Sequence, residues 1–139
     1  MIIKNYEVEQ FGRFLFDLTL RGKQSRMRTR FVKVLQGRLE LQIAEREQLV
    51  NEFAKRDEKG EIVYQENEAG QEGIVIGDVE EFNKEVICIL EEDFIIEETQ
   101  EVLDMLIEVK NIVLDCDLEF SGDEATQYDR WCEIVEEIN

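Results

Sequence analysis

The stretch that decides the fold is KQSRMRTRFVKVLQGRLELQIAEREQLVNEFAKRD, residues 23–57. Its apolar side chains recur every three or four positions, a spacing that places them on one face of an α-helix. Arg46 is the one polar residue on that line. The line consists of Val32, Leu35, Leu39, Ile43, Val50 and Phe53. The sequence therefore predicts one long helix of about 50 Å at 1.5 Å per residue.

A shorter helix precedes it. Apolar residues at 8, 11, 15 and 18 again follow helical spacing, Asn5 is suited to the N-cap, and Arg21-Gly22 is a typical end. Ser25 is a candidate N-cap for the long helix. Because the connection between the two helices is short, we expect them to pack as an antiparallel pair.

The rest of the chain alternates short strands with helices. Residues 2–3, 62–64, 74–76 and 93–97 have the apolar, β-branched character of strands, and residues 65–73 form a polar loop between two of them. Asp78 with Glu81, and Ser121 with Glu124, resemble capping boxes that open helices. Residues 102–114 also have helical spacing.

These patterns predict an α+β, mainly helical fold. It consists of a long antiparallel helix pair, a small β-sheet of about three short strands, and two or three further helices. No internal repeat or linker interrupts the chain, so we expect residues 1–139 to form a single domain.

Composition limits the location of the protein. Hydrophobic residues make up 43% of the chain, as in globular proteins, but no apolar run approaches the roughly 20 residues of a membrane span. The amino terminus lacks the layout of a signal peptide. We therefore expect the protein to stay in the cytosol of the cell that makes it. The cysteines, Cys88, Cys116 and Cys132, have apolar neighbours and no CxxC spacing, which predicts buried free thiols.

Charge is distributed unevenly along the chain. The net charge is −18, but residues 1–59 carry a net +4 and residues 60–139 a net −22. Residues 13–38 hold eight basic residues against one acid. The basic segment could neutralise the acidic half internally, bind phosphate, or leave the acidic half free to bind a basic partner.

Most catalytic chemistries lack the residues they need. The chain has no His, which removes His bases, His metal sites and Ser-His or Cys-His nucleophiles. No glycine-rich phosphate loop is present. An EF-hand starting at Asp115 would need Gly and Glu where Phe120 and Thr126 stand. We therefore predict no catalytic residue, no cofactor and no metal site, and a protein that is not an enzyme.

Two charged surfaces are the candidate sites. The predicted acidic interaction surface consists of Glu91, Glu92, Glu97, Glu98, Glu101, Asp104, Glu108, Asp115, Asp117 and Glu119. Arg26, Arg30 and Lys33 share one face of the long helix and form either a partner-binding face or an internal salt-bridge face. Because no aromatic residues for base stacking are interleaved on that face, nucleic-acid binding is disfavoured.

The order of features resembles a family of small proteins of tailed phages and prophages of Gram-positive bacteria. The similar pieces are the start Met1-Ile2-Ile3-Lys4-Asn5, a turn with Lys/Arg into the long helix, the string at residues 57–60, the Phe-x-x-Glu of residues 82–85, and the acidic-then-apolar residues 91–96. Residues 121–139 have no counterpart in it. The resemblance carries no activity over to any residue, and it implies a phage context.

The expected function is that of a protein-interaction module that binds and inhibits a host protein, such as a defence system or a nuclease, through its acidic surface. Acidic side chains can stand where DNA phosphates would bind, as in a DNA mimic. The first alternative is an accessory protein of virion or tail assembly. The second is nucleic-acid binding by the basic segment 21–38. A protein partner from host or phage is expected, no membrane, and a homo-oligomer could form through the long helix.

Overall fold

The computed structural model describes all residues from 1 to 139. The elements follow in the order β1 (Ile2–Lys4), α1 (Asn5–Asp17), α2 (Gly22–Phe53), β2 (Tyr64–Glu66), β3 (Glu72–Ile74), α3 (Val79–Glu91), β4 (Asp93–Ile95), α4 (Leu103–Leu114) and α5 (Gly122–Glu136). The fold is α+β and mainly helical, as the sequence predicts. Contacts divide the chain into two compact units: unit 1 is Met1–Leu39 with Asp93–Asn139, and unit 2 is Glu40–Glu92.

In unit 1, α1 and the first part of α2 form the predicted antiparallel pair. Asn5, at the start of α1, accepts a hydrogen bond of 2.8 Å from the Nε of Arg38. At the other end of α1, the carbonyl oxygen of Leu15 accepts one of the same length from Arg28. Between them the rings of Phe11 and Phe31 meet edge to face at 6.0 Å. Contacts that run in opposite directions along the two helices confirm the antiparallel arrangement.

A two-stranded sheet closes one side of unit 1. β1 and β4 are antiparallel, with Ile3 opposite Phe94. Ile3 is fully buried, whereas Ile2 on the opposite face of the strand is exposed, as expected for side chains that alternate along a strand. The predicted strands at residues 2–3 and 93–97 are therefore present and pair with each other.

The hydrophobic core lies entirely in unit 1. Phe11 stacks on Trp131 of α5 with ring centroids 4.9 Å apart. α4 contributes Leu106 and Val109, neither of which is exposed to solvent. Burial of a large apolar side chain stabilises a fold by about 1.5–3 kcal/mol, so this cluster supplies most of the stability of unit 1. Its largest fully buried members are Phe11, Phe31, Ile3, Leu15, Leu35, Leu106, Ile134 and Ile138.

Two hairpin turns with the same sequence pattern shape unit 2. Asp57 accepts hydrogen bonds from the backbone N–H groups of Lys59 and Glu61, and Gly60 has a φ of +78°. In residues 67–71, Asn67 accepts in the same way from Ala69 and Gln71, and Gly70 has a φ of +77°. Each is an Asx-x-x-Gly turn, in which glycine takes the left-handed conformation without strain.

Three chain segments of unit 2 hold one another by a closed ring of backbone hydrogen bonds. Lys55 donates to the carbonyl oxygen of Val75, Val75 donates to that of Val63, and Val63 donates back to that of Lys55, at 2.8, 3.0 and 2.8 Å. At these three residues every backbone N–H and C=O group has a partner, so none of the three segments has an open strand edge there. β2 and β3 continue the pairing, with Tyr64 opposite Ile74.

Several finer predictions differ from the structure. The strands form two separate two-stranded sheets instead of one small sheet. The segment expected to be a polar loop at residues 65–73 is largely the β2–β3 hairpin, because Asn67 and Gly70 make a tight turn. The long helix ends at Phe53, not Asp57, since residues 54–56 enter the hydrogen-bonded ring.

The predicted helix caps are also partly wrong. Asp78 caps α3 by accepting from the N–H of Glu81, as predicted. Ser121 occupies the N-cap position of α5 but makes no side-chain cap. α1 begins after Lys4, whose N–H donates to the carboxylate of Glu7, and α2 begins at Gly22, which places Ser25 inside the helix.

Candidate protein-binding surface

Unit 2 contains no buried apolar side chain, although it has many apolar residues. Gln42 is its only buried residue. Its most exposed large apolar residues, here called the unit 2 apolar set, are Leu41, Ile43, Tyr64, Val79, Ile87 and Leu90, exposed by 37–54%. Single exposed apolar residues are ordinary on protein surfaces, but a compact unit in which no apolar side chain is fully buried is not.

The α3 helix carries half of this set. Val79, Phe82, Val86 and Leu90 lie at steps of three and four, within an arc of about 80° on the helix. The ring of Phe82 packs edge to face against Phe53 at 6.0 Å, so this arc is partly covered. Val79 and Leu90, in the first and last turns of α3, remain 54% and 37% exposed. The α3 helix is therefore amphipathic, but other residues of unit 2 cover only part of its apolar face.

Acidic side chains surround this apolar face. Glu80, Glu85 and Glu91 belong to the same helix and lie outside the apolar arc. Unit 2 as a whole carries 16 acids against 5 basic residues, a net charge of −11. Ion pairs offset little of this charge, because Lys84 is shared between Glu80 and Glu81 at 3.9–4.0 Å on an exposed surface.

The ten residues of the predicted acidic surface are divided between the two units. Glu91 and Glu92 belong to unit 2, and the other eight residues belong to unit 1. Glu98 accepts from the backbone N–H of Asn139 at 3.2 Å, so it ties down the last residue of the chain. The members that stay exposed in unit 1 are Glu97, Glu101, Asp104, Asp115, Asp117 and Glu119.

Two members of the predicted acidic surface share one ammonium group within unit 1. The ammonium group of Lys23 lies 2.9 Å from the carboxylate of Asp104 and 3.6 Å from that of Glu108. The hydrogen bond to Asp104 raises the pKa of Lys23 above its usual value. Internal pairing of the basic segment with the acidic half, one of the three roles that its charge allowed, therefore occurs at Asp104 and Glu108.

The predicted basic face is exposed and has no acidic partner. Arg26, Arg30 and Lys33 have no carboxylate within 4 Å, and Arg30 contacts only the sulfur of Met27. The internal salt-bridge interpretation of these three residues is therefore wrong. Their charges point away from the core, because α2 turns Met27 and Phe31 toward it. Binding of a partner by this face stays a prediction.

Other basic residues of the long helix do have partners in unit 1. Arg28 donates to the carbonyl oxygens of Leu15 and Leu18 at 2.8 and 2.7 Å. The last carbonyl groups of a helix lack partners within it, and a cation there also complements the helix dipole. Arg38 lies 5.1 Å above the ring of Phe94. The concentration of basic residues at the start of α2 thus serves the fold in part.

The structure shows neither a cluster of candidate metal ligands nor a disulfide. No three His, Cys, Asp or Glu residues are close enough together to hold a metal ion. The three cysteines are free thiols, but Cys88 is exposed and the other two are half-buried, so the expected burial is wrong. No helix combines the length and the apolar character that a bilayer crossing demands.

Sequence reasoning did not identify the unit 2 apolar set as a surface. Helical spacing places Val79, Phe82 and Leu90 on one face of α3, but periodicity shows that a face is apolar without showing what covers it. A usable signal was present in the high acid content of residues 40–92 beside short strands of three residues. A segment this small and this highly charged is poorly able to bury its apolar residues in a core of its own.

Comparison with known proteins adds no relative. No protein-family model matches the sequence, and neither a curated protein nor a solved structure shows significant similarity to it.

Proposed function

We propose that this chain is a non-enzymatic protein-binding module of the bacterial cytosol, and that unit 2 carries its binding surface. The observation that carries the proposal is the absence of any buried apolar side chain in unit 2. Covering the exposed half of a Leu, Ile or Val side chain contributes about 1 kcal/mol. A partner that covers the unit 2 apolar set therefore gains a useful share of a binding free energy.

The charge of unit 2 defines the chemistry of the partner. With a net charge of −11, unit 2 repels a second acidic surface and attracts a basic one. Charged groups around an apolar centre set the rate and specificity of association, whereas the apolar centre supplies most of the affinity. The partner that fits is a protein with apolar anchors flanked by Lys and Arg.

A host protein is the first candidate for this partner. The resemblance to phage proteins implies a setting in which a small protein without catalytic motifs acts by binding. Host nucleases and other defence proteins that bind DNA present basic surfaces, to which the acids of unit 2 are complementary. We therefore propose inhibition of such a protein, with the carboxylates in the place of DNA phosphates.

A role in virion or tail assembly is the alternative, and the exposed apolar residues favour it. Permanent subunit interfaces are more apolar than transient ones. Val79 and Leu90 would then be covered throughout the life of the assembled particle. Salt separates the two proposals, because the attraction between the acids of unit 2 and a basic DNA-binding partner is screened as salt rises, whereas an interface without such charge complementarity depends little on salt.

Nucleic-acid binding is a second alternative, supported by one observation. Arg26, Arg30 and Lys33 are exposed, share a face and have no acidic partner. Three phosphate contacts would give a salt dependence of about 2.7 in log–log slope. The net charge of −18 opposes approach to DNA. Replacement of all three residues by Gln should abolish any DNA retention if this face binds it.

The direct test is a pull-down from a Gram-positive host lysate, with and without phage infection, with three forms of the chain. Val79→Gln/Leu90→Gln changes the unit 2 surface. Ile107→Gln is the matched control, since Ile107 also lies on a helix and is 38% exposed, against 37% for Leu90, but belongs to unit 1. We expect a protein that the native chain and the control retain and the double variant loses.

The same experiment distinguishes the proposed roles. A retained host nuclease or defence protein, released by salt or by competing DNA, supports inhibition. Retained phage structural proteins that resist salt support assembly. If the double variant retains the same proteins as the native chain, the binding surface is not the unit 2 apolar set, and the proposal is wrong.

A further inference from the structure

A cavity of about 410 Å³ opens in unit 1 between α1, α5 and residues 118–120. This volume is in the range of sites for small organic ligands, roughly 300–1,000 Å³. The cavity lies wholly in unit 1, so it is separate from the surface proposed above. Its wall contains Trp131, the only tryptophan of the chain.

Aromatic side chains form one side of this cavity. Phe120 and Tyr128 stack with ring centroids 4.5 Å apart and an interplanar angle of 18°. Phe14 leans against both of them, at 6.2 and 6.0 Å and at angles near 55°. The three rings therefore pack against one another and form one aromatic wall of the cavity. A ligand would lie on this wall, because the rings leave no slot between them.

The charged groups that line the cavity are two acids and one base. Asp17 and Glu124 line it, both are exposed, and neither has a Lys or Arg within 4 Å. Arg13 also lines the cavity, but its guanidinium lies 3.3 Å from the carboxylate of Glu9, which offsets its charge. Gln10 and Gln127 bond to each other at 2.6 Å and add no charge.

We propose that this cavity binds a small organic cation with an alkylated ammonium group. The faces of aromatic rings attract cations through their quadrupole, and weakly hydrated methylated ammonium groups gain most from such contact. Asp17 and Glu124 supply the negative charge, and the chain as a whole carries −18. A neutral ligand of the same shape would use the aromatic wall but not the carboxylates.

Choline and its uncharged isostere 3,3-dimethylbutan-1-ol test the proposal, because they match in shape and differ in charge. Each is titrated into the full chain at constant ionic strength, with the emission of Trp131 and isothermal titration calorimetry as independent readouts. We expect choline to give a saturable response and to bind at least fivefold more tightly than the alcohol.

Glu124→Gln keeps the shape of the side chain and removes its charge. We expect choline binding to weaken roughly threefold, as for loss of one exposed charge contact, and binding of the alcohol to stay unchanged. Asp123→Asn is the matched control, since Asp123 is the neighbouring acid on α5 and does not line the cavity. It should leave both titrations unchanged.

Equal affinity for the two probes, or no saturable response by either readout, would overturn the proposal. An equal effect of Asp123→Asn and Glu124→Gln on choline binding would also overturn the proposal. The preference for choline over the alcohol would then come from the overall negative charge of the chain and not from the cavity. Thermal melting of each variant by circular dichroism checks that the fold is retained.

Discussion

The carboxylate of Glu7 and the guanidinium of Arg130 meet at 2.7 Å, although 123 residues separate them in the sequence. Glu7 also accepts the N–H of Lys4, at the start of α1. The hydrogen bond to Glu7 is the main cause of the raised pKa of Arg130. The nearly buried carboxylate of Glu7 thus stabilises the start of α1 and links α5 to it.

Loss of this contact should destabilise unit 1. In Arg130→Gln, Glu7 stays nearly buried and loses its cation, so we expect the free energy of unfolding to fall by about 1–2 kcal/mol in a urea titration. Glu133→Gln is the control, because its contact with Arg130 is exposed and should contribute less than about 0.5 kcal/mol. Equal effects of the two substitutions would contradict this account.

Arg28 should matter far more to stability than Arg26, two residues away on the same helix. Arg28 caps the carbonyl groups at the end of α1, and Arg26 has no partner. We expect Arg28→Met to lower the free energy of unfolding by about 1–3 kcal/mol, and Arg26→Met to change it by less than about 0.5 kcal/mol. If both substitutions lower the melting temperature equally, the positive charge of the segment, and not the contact of Arg28 with the carbonyl groups of α1, accounts for the stabilisation.

Tyr128 should make stability depend on pH in the alkaline range. Its hydroxyl donates to the carbonyl oxygen of Val113 at 2.6 Å, and burial is the main cause of its raised pKa. The folded state therefore keeps the phenol proton at a pH where the unfolded state loses it. This contribution is complete below about pH 10 and is lost as pH rises above that value.

The substitution Tyr128→Phe isolates this effect. At pH 7 we expect it to cost about 1 kcal/mol, the value of one hydrogen bond. As the pH rises above about 10, the advantage of the native chain over the variant should shrink, as measured by urea unfolding at a series of pH values. A difference that stays constant from pH 7 to 11 would contradict the assigned shift.

The helices were predictable because their apolar periodicity is long and regular, and the antiparallel pair followed from the short connection before Gly22. The two hairpins were also within reach, since residues 57–60 and 67–70 share the Asx-x-x-Gly pattern. The role of Arg28 was not predictable. Its acceptors are backbone carbonyl groups of α1, which any sequence would supply and only the tertiary arrangement brings near.

Burial along the long helix shows most clearly where periodicity stops being informative. Leu35 and Ile43 lie on the same predicted apolar line, yet Leu35 is 2% exposed and Ile43 is 52% exposed. The line is real as a feature of the helix, but only its first part has a core to pack on. Sequence alone identifies an apolar face, and the structure decides whether the fold or a partner covers it.

The central claim is that unit 2 lacks a core of its own and is completed by a partner. Amide hydrogen exchange tests it most directly, measured on the free chain and on its complex with a protein recovered by the pull-down. We expect the amides of α3 to exchange much faster than those of α1 and α5 in the free chain, and to become protected in the complex. Protection of α3 equal to that of α1 in the free chain, unchanged by the partner, would contradict the claim.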